Sequence, residues 1–297
     1  MPKRIRLSLT DRLFMGGVYL ILTLSLLIVI YPLVFILSAS FSDPVNVLTG
    51  KVWLFPVDFS LFSYSAVFKN KQILGGYMNS AIYTISGTAV SVVLTIMAAF
   101  PLSRKGFYGR SIFMAIFLFT MLFSGGLIPT YLLLKQLAMT NTRWAIIIPN
   151  AIAVWLVIIS KTFFEQNVPE ELYEAAEIDG CDDFRFLLRM VVPLAGPILA
   201  VVALNYAVWI WNGYYDALIY LTDQRKYPLQ IILRDILILN RVDISQVQDV
   251  ESMMRKQGLS VVLKYSLIVV ASAPLLIVYP FLQKYFVKGI LIGSVKG

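Results

Sequence analysis

The most restrictive feature of this sequence is a set of six long stretches that contain no Asp, Glu, Lys or Arg. Each has at least about 17 residues, the lower limit for an apolar helix that crosses the hydrocarbon core of a bilayer. In lipid the backbone N–H and C=O groups must be satisfied internally, which a helix achieves within one segment. We therefore predict an all-α, polytopic membrane protein with six transmembrane helices, at about 13–37, 76–101, 111–134, 144–162, 193–215 and 263–283.

The composition agrees with a membrane protein. Hydrophobic residues make up 59% of the chain and charged residues 14%, whereas a soluble domain has about 25% charged residues. The first stretch follows several basic residues, but its apolar part is too long for a signal peptide, whose apolar region has about 7–15 residues. We expect it to be a retained anchor helix and the whole chain, 1–297, to be a single transmembrane domain.

The distribution of basic residues predicts the orientation. Lys and Arg occur in the N-terminal tail, in the loop 103–111 and in the tail 284–297. Short basic loops favour the cytoplasmic side, and with six spans these three segments lie on one side. Both termini are thus predicted to be cytoplasmic. The net charge of +8 is attributed to this topology and to lipid contact, and no nucleic acid is expected as a partner.

The residue inventory excludes several kinds of catalytic site. The chain has no histidine and one cysteine, Cys181, so zinc sites and Ser-His catalysis are not expected, and no metal site is predicted. A phosphate-binding Gly-x-x-x-x-Gly-Lys-Ser/Thr motif is absent from the sequence, so nucleotide chemistry must belong to another polypeptide. An intramembrane enzyme and a passive channel are both disfavoured, because the spans carry no catalytic pair and no ring of charges.

Residues 165–192 form a charged segment between the fourth and fifth spans, which we call the elbow. Its first part, up to Asp183, carries eight acidic residues and no basic one. Pro169 suits the start of a helix of about 11 residues and Gly180 suits its end. Helical spacing places Leu172, Ala175 and Ala176 on one face, and we expect this small apolar patch to dock against a partner.

A second helix is predicted in the elbow after Asp182, whose side chain can cap it. Its apolar face is expected to carry Phe184, Leu187, Leu188 and Val191, with basic residues beside it at the membrane surface.

The elbow carries a specific motif. Glu174-Ala175-Ala176-x-x-Asp179-Gly180, followed by Pro193 and Pro197, resembles the cytoplasmic loop of binding-protein-dependent ABC importer permeases. The resemblance implies the type I importer permease fold, in the cytoplasmic (inner) membrane of a prokaryote. It also implies that the loop forms coupling helices that insert into a partner ATPase, with contacts assigned to Glu170, Glu171, Glu174, Ala175, Ala176, Asp179 and Gly180.

The resemblance covers nearly the whole chain. Asn79-Ser80 and the ending 282–297 are similar to the smaller permease of maltose-type sugar importers, and the tail residues Gly289, Gly293 and Lys296 are implied to reach the ATPase. The segments 123–129 and 227–230 are similar to a branch that handles oligosaccharides, some of them acidic and alginate-like. The implied partners are an ATP-binding subunit dimer, a second homologous permease and an extracytoplasmic solute-binding protein. ATP and Mg would be bound by the partner subunits, and the chain itself would be neither an enzyme nor a cofactor carrier.

The fifth span is the richest in polar and aromatic residues. Asn205, Trp209, Asn212 and Asp216 recur at helical spacing, with Tyr215 beside them. Polar groups in a span tend to face the bundle interior or water, and aromatic rings with amides suit a sugar. These residues are a candidate translocation path. One alternative is that the aromatic residues form an interfacial belt while Asn205 and Asn212 pair with other helices. Another is that the permease carries another class of solute.

Overall fold

The structure is a computed structural model that describes residues 8–237 and 261–280. Within these ranges the chain forms helices and turns and no strand, in agreement with the predicted all-α class. The helices are numbered in chain order as α1 (Leu9–Ser40), α2 (Pro44–Leu48), α3 (Phe62–Lys69), α4 (Lys71–Ser103), α5 (Arg110–Leu122), α6 (Leu127–Gln136), α7 (Trp144–Ile147), α8 (Val154–Asn167), α9 (Glu170–Ile178), α10 (Asp183–Leu194), α11 (Gly196–Asn212), α12 (Tyr215–Tyr220), α13 (Leu229–Leu237) and α14 (Val261–Pro280).

The chain divides into two compact units. The first comprises residues 1–70 and 236–272. Its helix α1 is apolar and exposed along most of its length, as a lipid-facing or subunit-facing helix would be. Only its end is buried. There the Ser63 hydroxyl donates to the carbonyl oxygen of Ser40 at 3.0 Å, and the hydroxyls of Ser40 and Tyr64 lie 2.8 Å apart. These bonds tie the end of α1 to α3.

The second unit comprises residues 71–235 and 273–297. Its centre is α4, which packs along α8 and α11. The three helices meet at Tyr206 of α11, whose hydroxyl lies 2.7 Å from the Thr95 hydroxyl of α4 and accepts a hydrogen bond from the backbone N–H of Ala153 at 2.9 Å. Buried apolar residues of the elbow continue the same core. The elbow is therefore packed against the spans.

The predicted third span, 111–134, is not one straight helix. It consists of α5 and α6, which meet at an angle of 112°. The break falls at Gly125-Gly126, and Gly126 has φ +85, a conformation that residues with a Cβ rarely adopt. Helix α5 has already ended at Leu122, and Gly126, directly before α6, permits the sharp turn into that helix.

The predicted fourth and fifth spans are also interrupted. Residues 144–162 fall into the short α7, a non-helical stretch around Pro149, and α8. The region 193–215 begins in α10, bends by 86° into α11 and ends at Asn212. Proline lacks the N–H that continues a helix, so Pro149 and Pro197 account for the position of these breaks.

Three described helices, α1, α4 and α14, are by themselves long and apolar enough to cross a membrane. The number rises to five when each bent pair, α5 with α6 and α10 with α11, is counted as one span. The region 144–162 does not pass this test as a single helix. Six crossings thus remain a prediction. A crossing at 144–162 would have to consist of the two interrupted helices α7 and α8.

Candidate functional site

The first part of the elbow forms α9. Pro169 precedes it and Glu170 and Glu171 occupy its first turn, where acidic side chains interact favourably with the helix dipole. The helix has nine residues, close to the predicted length. Gly180 ends it with φ +72, and the following N–H, of Cys181, donates to the carbonyl oxygen of Ala176 at 2.9 Å. Both predicted helix ends are confirmed.

The prediction that Leu172, Ala175 and Ala176 form one exposed apolar patch on α9 is wrong. Ala176 is only 5% exposed and packs in the core, with Leu172 partly buried against the same cluster. Ala175, in contrast, is exposed, because one step along a helix turns a side chain by about 100°. The outer face of α9 carries Glu171, Glu174, Ala175 and Ile178, and Ile178 is 87% exposed. This outer face, with Asp179 and Gly180 exposed at its end, is what α9 offers a partner.

The second part of the elbow begins as predicted and then differs. The Asp182 carboxylate caps α10 by accepting from the backbone N–H of Arg185 at 2.9 Å. The predicted apolar face is split, because Leu187 and Val191 are buried whereas Phe184 and Leu188 are exposed. Phe186, which the pattern did not single out, is completely buried. A π-helical turn over Leu187–Val191 contributes, since it shifts the side chains out of the 3.6-residue register.

Arg104 connects the end of α4 to the elbow. Its Nη2 atom lies 2.8 Å from Oε1 of Glu170, and its guanidinium lies 4.0 Å from the ring centre of Tyr173 and 5.9 Å from that of Phe186. Arg104 is only 9% exposed. Sequence reasoning counted it solely as a basic loop residue. Its position directly after a span and opposite an acid-rich segment is the signal that could have found it.

Tyr173 extends this cluster to the second helix of the elbow. Its hydroxyl donates to Oδ1 of Asp183 at 2.7 Å. The hydrogen bond favours the neutral phenol, and together with burial and the charge of Asp183 it raises the pKa of Tyr173 to about 12. Tyr173 thus remains a neutral donor and presents an uncharged aromatic face to the Arg104 guanidinium.

A second set of ion pairs lies nearby. Arg110, at the start of α5, pairs with Glu165 near the end of α8, and Lys161 pairs with the same carboxylate at 3.0 Å. The loop 103–110 is therefore attached at both ends, through Arg104 to the elbow and through Arg110 to α8.

The candidate translocation residues are brought together by a break in the helix. Helix α11 ends at Asn212, and Tyr215 and Asp216 belong to α12, so the expected single helical face is wrong. Most of the predicted residues nevertheless line one open cavity of about 400 Å³. Its lining is Asn150, Trp209, Asn212, Gly213, Tyr214, Tyr215 and Asp216.

Asn205 lies outside this lining, and its amide donates to the carbonyl oxygen of Val201 on its own helix at 2.8 Å. The Asn212 amide likewise donates to Val208 at 2.8 Å. Sequence reasoning missed Asn150, whose amide donates to Oδ2 of Asp216 at 2.7 Å. The polar residue after Pro149, inside an apolar stretch, is the signal that could have identified it.

The end of the second unit near the cavity also holds an ordered loop. The Asn79 amide donates to the carbonyl oxygens of Arg225 and Tyr227 at 2.7 and 3.1 Å, and the Tyr83 hydroxyl donates to that of Lys226 at 2.8 Å. Asn79, recognised in the sequence only as part of a familiar motif, therefore fastens the loop 222–228 to α4.

The predicted tail contacts, Gly289, Gly293 and Lys296, lie outside the described residues. The elbow, the cavity and the fastened loop are thus the sites that the structure describes.

Comparison with known proteins gives concordant matches. The family model described as "Binding-protein-dependent transport system inner membrane component" matches residues 91–292, which include the elbow. The "Polygalacturonan/rhamnogalacturonan transport system permease protein YtcP" of Bacillus subtilis (strain 168) is 41% identical over 287 residues, covering 97% of this chain and 99% of the relative. "Protein LplC" of the same organism is 41% identical over 286 residues, covering 96% and 93%.

A solved structure is similar over almost the whole length. It is a chain of a bacterial ABC transporter involved in the import of the acidic polysaccharide alginate, with a TM-score of 0.86 and 31% sequence identity. The match covers 95% of this chain and 100% of the other. The predicted importer permease fold is confirmed by this similarity.

Proposed function

Because this chain belongs to the family of binding-protein-dependent transport system inner membrane components, we propose that it forms half of the membrane pathway of an ATP-driven importer of acidic oligosaccharides. It is a permease subunit of an ABC importer and not an enzyme. The observation that carries the proposal is the elbow: a capped, acidic helix that is packed against the spans on one face and exposes Ala175 and Ile178 on the other.

The exposed face of α9 is suited to a soluble partner. An acidic helix is repelled by an anionic leaflet, and Ile178 is a large apolar side chain in water. We assign this face, with Glu170, Glu171, Glu174, Asp179 and Gly180 around it, to a cleft of the ATPase subunit. Closure of the ATPase dimer on ATP would displace α9 and move the spans between inward-facing and outward-facing states.

The remaining partners follow from this arrangement. A second homologous permease would complete the pathway, and an extracytoplasmic solute-binding protein would deliver the oligosaccharide. ATP and Mg would be held by the ATPase subunits. In this proposal the protein lies in the cytoplasmic membrane, with the elbow and both termini in the cytoplasm, and the tail 284–297 adds a further ATPase contact.

The proposed substrate class rests on the similar proteins and on the chemistry of the cavity. The names of two similar proteins refer to polygalacturonan, rhamnogalacturonan and alginate, all rich in uronic acids. In the cavity, Trp209 and Tyr215 are about half exposed, and Asn212 is an exposed amide residue of the lining. Aromatic faces can stack on sugar rings and amides can bind hydroxyl groups. An interfacial aromatic belt is the competing explanation for these rings.

Uptake tests the function directly. The chain, its sister permease, the ATPase and the binding protein are co-expressed, and the accumulation of labelled oligogalacturonides is compared with that of maltotriose. We expect ATP-dependent accumulation of the acidic oligomers. Accumulation of maltotriose without oligogalacturonides would overturn the assignment to acidic oligosaccharides, and accumulation of neither would overturn the sugar assignment.

A substitution on the exposed face of α9 tests the assignment of this face to the ATPase. Ile178→Glu places a charge in the ATPase contact without disturbing the core, and we expect co-purification of the ATPase to fall at least about tenfold. Ile178→Leu keeps the apolar contact and is the control. Normal co-purification with Ile178→Glu would contradict the assignment. Labelling of Cys181 by a membrane-impermeant reagent in intact cells would contradict the cytoplasmic location of the elbow.

A further inference from the structure

Helix α4 connects the two ends of the second unit. It has 33 residues, which corresponds to about 50 Å at 1.5 Å per residue. Near its start, Asn79 and Tyr83 hold the loop 222–228. At its end, directly after Ser103, stands Arg104. A helix of this length with partners at both ends can move as one rigid body.

Within the described part of the chain, the charged and aromatic partners of the Arg104 side chain lie on the elbow. Glu170 of α9 supplies the charge partner at 2.8 Å, Tyr173 of α9 supplies an aromatic face at 4.0 Å, and Phe186 of α10 supplies a second ring at 5.9 Å. Tyr173 in turn binds Asp183 of α10. A single buried guanidinium thus joins the end of α4 to both helices of the elbow.

We propose that Arg104 is a positioning residue for coupling, which locks the elbow to the end of α4 so that a displacement of α9 moves α4 with it. The inference rests on the proposed function, because it assigns the link through which ATPase movement reaches the spans. Arg104 touches neither solute nor nucleotide in this scheme. Its task is to keep α9, α10 and α4 in a common orientation.

The chemistry of Arg104 supports a specific link over a general attraction between charges. The planar guanidinium can pair with a carboxylate at its edge while it stacks on a ring with its face, which a lysine ammonium cannot do. Its Nε atom is buried and has no hydrogen-bond partner among the residues that the structure describes. Burial of an unsatisfied N–H costs free energy of folding. This cost indicates that the position of Arg104 serves the protein in a way other than stability.

Lys105 provides a matched control. It is the next residue, it carries the same charge, and it is exposed without an ion pair among the described contacts. Arg104→Gln and Lys105→Gln therefore remove the same charge from the same loop. Only the first removes a contact to the elbow.

The first experiment uses the permease alone and needs no ATPase. The natural Cys181 lies on the elbow, partly buried against the core cluster, so its alkylation rate reports how tightly the elbow is held. In detergent-solubilised permease, Arg104→Gln should raise the rate of maleimide labelling about 3- to 10-fold. Lys105→Gln should label at the wild-type rate. An unchanged rate in Arg104→Gln would overturn the proposal.

The second experiment uses the complete importer in proteoliposomes. For Arg104→Gln we expect ATP hydrolysis within about twofold of wild type and uptake of oligogalacturonide per ATP reduced about tenfold, because the ATPase still binds the elbow while the elbow no longer moves α4. A merely structural role predicts that hydrolysis and uptake fall together with the amount of assembled complex. That result, or full coupling in Arg104→Gln, would overturn the proposal.

Tyr173 keeps the test decisive if Arg104→Gln does not accumulate in the membrane. Tyr173→Phe retains the ring beside the guanidinium, and Tyr173→Leu removes it. We expect Tyr173→Phe to remain coupled and Tyr173→Leu to behave like Arg104→Gln in both experiments; equal behaviour of the two would reject the ring as part of the link. If the wild-type importer takes up no oligosaccharide, the proposed function fails, while the Cys181 labelling still decides whether Arg104 holds the elbow.

Discussion

The two ends of the second unit are built in different ways. At the elbow end, charged and aromatic side chains from α4, α9 and α10 bind one another, as Arg104, Glu170 and Tyr173 illustrate. At the cavity end, Asn205 and Asn212 bind carbonyl groups of their own helix, and Trp209 is 50% exposed. At the elbow end, these side-chain contacts hold the helices together. The second end leaves the Trp209 side chain exposed at the cavity, although Asn79 and Tyr83 of α4 bind the loop 222–228 at the same end.

The largest effect should come from placing a charge in the core beneath the elbow. Ala176→Asp buries an unpaired carboxylate, which we expect to cost about 5 kcal/mol or more in free energy of unfolding. Its neighbour Ala175→Asp introduces the same group on the exposed face and should leave the melting temperature of the permease unchanged, while it weakens ATPase binding. Thermal unfolding of the purified variants measures the difference in stability between them. Equal destabilisation by Ala176→Asp and Ala175→Asp would show that α9 does not have the buried face described.

A second contrast lies between two tryptophans at the cavity end. Trp211 is 4% exposed and packs edge-on against Tyr77 with ring centres 5.4 Å apart, so Trp211→Ala should destabilise the fold by about 3–5 kcal/mol. Trp209→Ala should leave stability nearly unchanged and reduce uptake at low substrate concentration about tenfold. Wild-type uptake with normal ATP hydrolysis in Trp209→Ala would make this residue part of an interfacial belt.

Two adjacent glycines test the contact between α4 and α13. A Cβ at Gly76 would lie 2.4 Å from Cδ1 of Ile232 and 3.2 Å from Cα of Leu229, whereas a Cβ at Gly75 would meet nothing within 4 Å. Gly76→Ala should therefore lower the free energy of unfolding by about 1–2 kcal/mol. Gly75→Ala should be neutral or raise it by about 0.5 kcal/mol through helix propensity. Chemical denaturation of both variants measures the difference, and the reverse order would contradict the close approach.

The smallest expected effect concerns the charge of the cavity. Asp216 is the one acidic residue in the lining, and its carboxylate should repel the carboxylates of a uronic acid oligomer. We expect Asp216→Asn to increase uptake of oligogalacturonide about two- to threefold relative to a neutral oligosaccharide of equal length. The control is Asp223→Asn, which removes a carboxylate from the loop 222–228. A lower uptake of acidic oligomers in Asp216→Asn would indicate that Asp216 binds the substrate.

Local signals at the elbow were predictive because each acts within a few residues. The helix start after Pro169, the end at Gly180 and the cap at Asp182 depend on backbone hydrogen bonds to near neighbours. The inward face of α9 was not predictable in the same way. Leu172, Ala175 and Ala176 are all apolar, and only the packing of the core determines that Ala176 is buried and Ala175 exposed.

The cavity shows the opposite case. Trp209, Asn212, Tyr215 and Asp216 were recognised by their residue types, yet the expected continuous helical face does not exist, because α11 ends at Asn212 and a new helix begins at Tyr215. The break brings Asn150 to Asp216 across 66 positions of sequence. Hydrophobic periodicity contains no information on such a contact.

The sequence by itself determined that this protein is a helical membrane protein with an acidic elbow whose motif resembles the cytoplasmic loop of importer permeases, because apolar length, helix ends and the Glu-Ala-Ala motif are local properties of the chain. Only the tertiary structure decided where the spans are interrupted, which side of α9 is free, and that Arg104 joins the elbow to α4. These features depend on contacts between residues far apart in sequence, and the burial of a side chain is a property of everything packed around it.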